Sequence, residues 1–144
     1  MARRFRILVA DDNEDAANTL ALLLELSGYE VRVAYDGEAA VRLAERWPPD
    51  AAILDITMPR RDGYEVAKAL RAWLPQPLVL VAHSGQLTIR QRDMATASLF
   101  DLCFTKGTDF AELREQLADL LHGMPTCRPN GSPGDMPKSP VRRH

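Results

Sequence analysis

Short runs of apolar residues alternate along the chain with longer segments in which apolar residues recur at helical spacing. The short runs predict buried strands at residues 6–10, 31–35, 51–54, 78–82 and 102–105. The longer segments predict helices at residues 14–27, 36–46, 62–73, 86–97 and 109–122. Strands that are separated by helices of about 10–15 residues form parallel βαβ units. The pattern therefore predicts a parallel sheet with helical crossovers.

The predicted strands are continuously apolar rather than alternating, as in the run RILVA at residues 6–10. Strands of this kind are buried on both faces, because right-handed crossovers place helices on each side of the sheet. We therefore predict an α/β fold, a doubly wound (βα)5 sandwich. Its five-stranded parallel sheet is expected to have the flavodoxin-like strand order 2-1-3-4-5.

The composition of the chain changes after residue 122. The last part holds five prolines and two glycines beyond Gly123 and almost no large apolar residue. We predict a folded domain at residues 5–122 and a Pro/Gly-rich disordered tail at residues 123–144. The tail has four basic residues and one acidic residue, a net charge of +3, so the rest of the chain carries −5 of the total of −2. An acidic body does not suggest direct binding of nucleic acid.

Composition also bears on the compartment. The chain is 46% hydrophobic and 26% charged, which is typical of one ordinary soluble domain. No apolar run reaches the length of about 18 residues that a membrane span needs, and the N-terminus lacks the features of a secretory signal. The two cysteines, Cys103 and Cys127, fit neither a disulfide framework nor a metal-ligand spacing. We predict a cytoplasmic protein without membrane contact.

Charged and polar residues follow four of the predicted strands. Asp11 and Asp12 follow the first strand, and Asp55 follows the third, which is its predicted neighbour. Ligands of such sheets bind at the carboxyl ends of the strands near the switch in strand order. Three clustered carboxylates repel one another, and Mg²⁺ is a natural counterion for them. This edge of the sheet is therefore predicted to hold a magnesium site.

Ser84 follows the fourth strand and Lys106 the fifth. A lysine ammonium and a serine hydroxyl are both suited to binding a phosphoryl group. Together with the carboxylates they favour transfer of a phosphoryl group to an aspartate. Each residue alone has a plainer interpretation, as a helix cap, a loop acid, a turn residue or a solvated charge. Their joint occurrence at four strand ends favours the site.

The segment DITMPRRDGYE, which begins at Asp55, resembles the phosphoacceptor strand and following turn of a known family. The family is the receiver domain of two-component response regulators, and the resemblance covers roughly residues 5–122. It implies that Asp55 is phosphorylated and that Asp12 binds Mg²⁺ directly. It further implies that Asp11 holds a metal-bound water and that the carbonyl of Thr57 completes the metal shell.

The resemblance also implies that Ser84 is the switch hydroxyl and Lys106 the phosphate-binding lysine. The implied function is that of a single-domain response regulator, phosphorylated by a sensor histidine kinase or phosphotransfer protein. Such a protein is not an enzyme beyond its own phosphorylation and dephosphorylation. It changes a protein-binding face for a downstream target, and a monomer is expected rather than a dimer.

Three residues depart from the family pattern, all in or beside the fifth strand. Gly107 stands where receivers have a proline preceded by a cis peptide bond. A cis bond before another residue costs about 2.5–4 kcal/mol, so we expect a trans bond or a rearranged loop. Cys103 replaces an aromatic residue, so the aromatic half of the usual switch is absent or supplied otherwise. Leu99 replaces a glycine, which implies a different exit from the preceding helix.

Two other functions remain possible on the sequence. An aspartyl-nucleophile phosphatase is disfavoured, because such enzymes carry the nucleophile after the first strand and a second acid two residues later. Here Thr57 stands two residues after Asp55, in place of that acid. A phosphorylation-independent interaction module with the receiver fold is the stronger alternative, suggested by the three departures. His83 is expected to be a solvent-facing residue at a strand end.

Overall fold

The computed structural model describes residues 4–56, 58, 60–74, 77–85 and 99–123. One parallel sheet of five strands forms its centre, with the order β2-β1-β3-β4-β5. The predicted strand order is therefore confirmed. The strands are β1 (Arg6–Ala10), β2 (Glu30–Ala34), β3 (Ala51–Leu54), β4 (Val79–Ser84) and β5 (Leu102–Thr105).

Four helices are described, each at a place where the sequence predicts one. They are α1 (Glu14–Leu26), α2 (Gly37–Arg46), α3 (Gly63–Trp73) and α4 (Phe110–His122). The helix predicted at residues 86–97 and the tail after residue 123 lie outside the described residues. Among the described helices, none has the length and apolar character needed to cross a bilayer.

Two strands differ from the prediction at both ends: β2 spans residues 30–34 instead of 31–35, and β4 spans residues 79–84 instead of 78–82. β2 begins one residue earlier, because Arg6 of β1 pairs with Glu30. β4 continues to Ser84, because its last two residues pair with Phe104 and Thr105 of β5. Pairing with a neighbouring strand decides these ends, whereas the apolar run in the sequence stops at Ala82.

The sheet is covered by helices on both faces, as its apolar strands predict. Leu8 and Leu54 point to the face on which α2 and α3 pack, where Leu70 is also buried. Ile7 and Ile53 point to the opposite face, with Leu117 of α4. Burying each such side chain contributes about 1.5–3 kcal/mol. These two cores fix the strand register and with it the positions of the residues at the strand ends.

Each described helix is preceded by a polar residue that caps its first turn. The side chain of Asn13 accepts a hydrogen bond from the Ala16 amide at 3.0 Å, and Asp36 accepts one from Ala39 at 2.8 Å. Asp62 caps α3 in the same way. Such caps satisfy amides that the helix leaves without partners. The helices therefore start at the carboxyl edge of the sheet.

The segment before β5 is held by Arg71 of α3. Its guanidinium donates to the Leu99 carbonyl at 2.9 Å, the Leu78 carbonyl at 2.9 Å and the Asp101 carboxylate at 3.0 Å. Among the described residues only Gly28 and Arg60 have positive φ, so Leu99 needs no left-handed conformation. At Leu99, where the family favours glycine, the carbonyl oxygen instead accepts a hydrogen bond from Arg71.

Candidate functional site

Three carboxylates meet at the carboxyl edge of the sheet. Asp11, Asp12 and Asp55 each offer one oxygen, and these oxygens lie within 4.8 Å of one another. The Asp55 amide donates to the Ala10 carbonyl at 2.9 Å, which extends the pairing of β1 with β3 to Asp55. Asp11 and Asp55 are each only 5% exposed, whereas Asp12 is exposed. The site therefore has two buried carboxylates, and the third is accessible to solvent.

Lys106 joins this cluster from the connection between β5 and α4. Its Nζ lies 2.7 Å from Asp11 Oδ2 and 3.4 Å from Asp55 Oδ2. Burial opposes the charge on Lys106, but the hydrogen bond that its ammonium donates to Asp11 and the charges of Asp55 and Asp11 raise its pKa above the usual value. The lysine therefore stays protonated at neutral pH.

Gly107 does not displace this lysine. No cis peptide bond occurs among the described residues, so the bond between Lys106 and Gly107 is trans, as its energetic cost predicts. The Lys106 ammonium nevertheless reaches both buried aspartates. The departure from proline is compatible with the expected position of the lysine.

The donor set of the cluster fits Mg²⁺. Three carboxylates and one ammonium carry a formal charge of −2, which a divalent cation neutralises. All the candidate ligand atoms are carboxylate oxygens, the ligand type that Mg²⁺ prefers. Asp11 Oδ1 accepts a hydrogen bond from the Asn13 amide at 2.9 Å, which fixes the orientation of that carboxylate.

The turn after β3 packs tightly against the start of α3. The Gly63 amide donates to the Ile56 carbonyl at 2.9 Å. A Cβ atom at Gly63 would lie 2.5 Å from the Asp55 carbonyl oxygen and 2.9 Å from Ile56 Cα. Both are backbone atoms that cannot rotate away, so this position requires glycine. Thr57, the expected carbonyl ligand, lies outside the described residues.

The end of β4 borders the cluster. The backbone of Ser84 pairs with Thr105, the residue before Lys106, so Ser84 lies at the same edge of the sheet. Its side chain lies outside the described part of the chain. The structure thus brings together Asp11, Asp12, Asp55 and Lys106, and aligns the backbone of Ser84 with them.

His83 is a neighbour of the site that the sequence analysis misjudged. It is partly buried rather than solvent-facing. Burial lowers its pKa, the charge of Lys106 lowers it further, and Asp11 opposes both. No local sequence signal marks this burial, because it depends on the parallel register that sets His83 opposite Phe104, two residues before Lys106.

Cys103 lies partly buried against the core on the α2/α3 side. Two aromatic rings occur in the same core, where Tyr64 of α3 meets Phe100 edge to face at 6.1 Å. Burial raises the pKa of Tyr64, with smaller contributions from Cys103 and Asp62. Aromatic side chains are therefore present beside β5 although position 103 has none.

Comparison with known proteins points to one family. The family model described as the response regulator receiver domain matches residues 7–118. The chain is 48% identical over 66 residues to the alkaline phosphatase synthesis transcriptional regulatory protein PhoP of Bacillus subtilis, covering 46% of this chain and 28% of that protein. It is 51% identical over 67 residues to the transcriptional regulatory protein PrrA of Mycobacterium tuberculosis, covering 46% and 29%. The chain thus spans less than a third of the length of these relatives.

Solved structures show the same likeness. The signal receiver domain of NarL from Mycobacterium tuberculosis has a TM-score of 0.75 and 28% identity, covering 85% of this chain and 99% of that chain. The receiver domain of Francisella response regulator 1452 has a TM-score of 0.75 and 26% identity, covering 83% and 98%. The match extends over almost the whole of both receiver domains.

Proposed function

Because the chain belongs to the response regulator receiver domain family, we propose that it accepts a phosphoryl group on Asp55 with Mg²⁺ bound. The observation that carries the proposal is the meeting of three carboxylates with the Lys106 ammonium at one edge of the sheet. Asp55 is proposed as the acceptor because it begins the segment that resembles the phosphoacceptor strand of the family, and its carboxylate lies 3.4 Å from Lys106 Nζ. Receiver domains are signal-transduction domains, and we propose no activity on other substrates.

In the proposed reaction a carboxylate oxygen of Asp55 attacks the phosphorus of a phosphohistidine. A P–O bond to Asp55 forms, the P–N bond to the donor imidazole breaks, and the imidazole leaves with the bonding electrons. Asp11, Asp12 and Asp55 would hold Mg²⁺, which when bound would neutralise charge on the phosphoryl oxygens. Lys106 pairs with the same group, which is consistent with its position 3.4 Å from Asp55.

The remaining predicted residues complete the proposed site. We assign Asp12 as the direct metal ligand and Asp11 as the holder of a metal-bound water. The carbonyl of Thr57 serves as a further ligand. The hydroxyl of Ser84 is proposed to bond the phosphoryl group, supported by the alignment of its backbone with Thr105. The acyl phosphate adds roughly two negative charges, which draw Ser84 and Lys106 inward.

We further propose that residues 5–122 form the receiver domain of a cytoplasmic, monomeric protein. A sensor histidine kinase or a phosphotransfer protein is its phosphoryl donor. Movement of the loops that carry Ser84 and Lys106 then changes a surface that a downstream protein binds. The position of Lys106 between β5 and α4 supports the involvement of that side of the domain.

The test is uptake of labelled phosphoryl from acetyl phosphate in the presence of Mg²⁺. We expect the wild type to be labelled and Asp55→Asn to lose the label, because the amide is a poor nucleophile. Asp36→Asn is the matched control. Asp36 caps α2 through the Ala39 amide at 2.8 Å, and asparagine caps a helix equally well.

Labelling of Asp55→Asn at the wild-type level contradicts the assignment of the acceptor. Absence of labelling in the wild type, together with no binding of beryllofluoride in Mg²⁺, favours the phosphorylation-independent module instead. Loss of labelling in Asp36→Asn indicates a general effect of removing an acid, and the assignment then fails as well.

A further inference from the structure

The solvent-facing side of α1 exposes leucines. Leu22 is 54% exposed and Leu26 is 77% exposed, and they lie four residues apart, so they share one helix face. Asn18 continues this face toward the carboxyl edge, where its side chain accepts a hydrogen bond from the Tyr35 hydroxyl at 2.8 Å. We call the face made of Asp15, Asn18, Leu22, Glu25 and Leu26 the α1 ridge.

The α1 ridge is acidic as well as apolar. The helix carries Glu14, Asp15 and Glu25 and no lysine or arginine. All three acids are exposed, and none forms a salt bridge among the described contacts. The ridge therefore offers an apolar strip with negative charge at both ends to a basic, partly apolar occupant.

The chain itself contains a segment of that composition. Residues 124–144 hold four basic residues and one acidic residue, with Met124, Met136 and Val141 as apolar side chains. This is the reverse of the charge on the ridge. The segment is also attached beside the ridge, as the contacts at the end of α4 indicate.

The end of α4 lies near the end of α1. The ring of His122 meets Phe5 edge to face at 5.5 Å, and Phe5 lies 6.5 Å from Tyr29. The Tyr29 amide in turn donates to the Leu24 carbonyl in the last turn of α1. A segment that continues from Gly123 therefore starts close to Glu25 and Leu26.

We propose that residues 124–144 dock on the α1 ridge of their own chain, with basic side chains against Asp15 and Glu25 and apolar side chains against Leu22 and Leu26. The ridge is about 17 Å long from Asp15 to Leu26, at 1.5 Å per helical residue. Five or six extended residues cover it, at about 3.3 Å each. Tethering supplies an effective concentration of about millimolar, so weak contacts are enough.

Docking makes the tail an intramolecular cover for the exposed leucines. A partner that needs the ridge has to displace the tail first, whereas chemistry at the carboxyl edge of the sheet is not blocked. The proposal is independent of phosphorylation at Asp55, and its test uses no phosphoryl donor.

The test places a nitroxide in the tail and measures relaxation of the backbone amides. The label is attached at Ser139→Cys in the full chain, with Cys103→Ala and Cys127→Ala removing the other thiols. We expect the amide signals of Leu22 and Glu25 to lose more than half of their intensity relative to the reduced label. Signals of α2, on the other face of the sheet, are expected to stay unchanged.

Glu25→Lys and Glu45→Lys form a matched pair of variants. Each replaces the exposed residue next to the last one of its helix, in α1 and α2 respectively. We expect Glu25→Lys to restore the signal at Leu22 and Glu45→Lys to leave it broadened. Raising the ionic strength from about 0.01 M to about 1 M shortens the screening length from about 30 Å to about 3 Å, and we expect it to act like Glu25→Lys.

A mixture of isotope-labelled chains without nitroxide and unlabelled chains with nitroxide identifies the source of the effect. Broadening within one chain that is absent from the mixture supports docking of the tail. Equal broadening in the mixture assigns the ridge to a second copy of the chain and overturns the proposal. Equal broadening of α1 and α2 also overturns the proposal. The same holds if Glu45→Lys restores the Leu22 signal as much as Glu25→Lys does.

Discussion

Lys106 has two expected electrostatic effects on the site, since it competes with a metal ion for the carboxylates and it pairs with the phosphoryl group. Replacing it by methionine separates the two effects. Its Nζ lies 2.7 Å from Asp11 and 3.4 Å from Asp55, so it occupies the region where a divalent cation would bind. Without the ammonium, the three carboxylates keep their full negative charge. We expect Lys106→Met to bind Mg²⁺ more tightly than the wild type and to take up phosphoryl groups more slowly.

The size of the first effect follows from Coulomb's law. Unit charges about 4 Å apart interact by about 1 kcal/mol in water and about 4 kcal/mol at an effective dielectric constant of about 20, and a divalent ion doubles both values. The side chain of Lys106 is 26% exposed and its flexible stem can move the ammonium toward water, so the lower bound applies. A change of about 2 kcal/mol corresponds to an Mg²⁺ association constant raised by about thirtyfold.

Isothermal titration with Mg²⁺ measures this change directly. Lys68→Met is the control, because Lys68 is an exposed lysine of α3 outside the acidic cluster and loses the same charge. We expect its Mg²⁺ affinity to stay within about twofold of the wild type, since solvent screens such distant charges. An unchanged or weaker affinity in Lys106→Met refutes the argument that the lysine and the metal compete for the carboxylates.

Three further predictions concern the surroundings of the site. Gly63→Ala puts a Cβ 2.5 Å from the Asp55 carbonyl oxygen, roughly 0.9 Å too close, and is expected to lower the free energy of unfolding by about 1–3 kcal/mol; unchanged urea denaturation contradicts this. Arg60→Gly relieves a φ of 70° and is expected to raise the free energy of unfolding by about 0.5–1 kcal/mol. A lower free energy of unfolding in urea denaturation counts against this expectation. The folded protein lowers the pKa of His83, so the unfolded chain binds the proton more readily and the contribution of neutral His83 is lost as the pH falls below about 6.5. The free energy of unfolding of the wild type should therefore fall more than that of His83→Gln as the pH is lowered below about 6.5. An equal fall in the two proteins, measured by urea denaturation, argues against this reasoning.

Most of the framework was predictable because its signals are local. The apolar run at residues 51–54 marks β3, and Asp62 marks the start of α3 through a capping pattern that needs only neighbouring residues. Crossover handedness then places helices on both faces of the sheet, and the order 2-1-3-4-5 is one of the common orders of such sheets. Asp11 and Asp55 could be placed together for this reason, without knowledge of any distance.

The remaining features depend on contacts between distant residues. Nothing near Lys106 in the sequence indicates that it lies closer to Asp11 than to Asp55. Arg71 contacts Leu99, which is 28 residues away, and no periodicity marks such a pair. His83 was misjudged for the same reason, because its burial depends on the packing around the end of β4 rather than on the adjoining residues.

Identification of the phosphorylated residue is the most direct test of the central claim. The protein is treated with acetyl phosphate and Mg²⁺, and borohydride reduction then converts an aspartyl phosphate to homoserine, which mass spectrometry of peptides locates. We predict homoserine at position 55 in the Mg²⁺ sample and none when a chelator replaces the metal. Homoserine at another aspartate, or none in the presence of Mg²⁺, would contradict the proposed function.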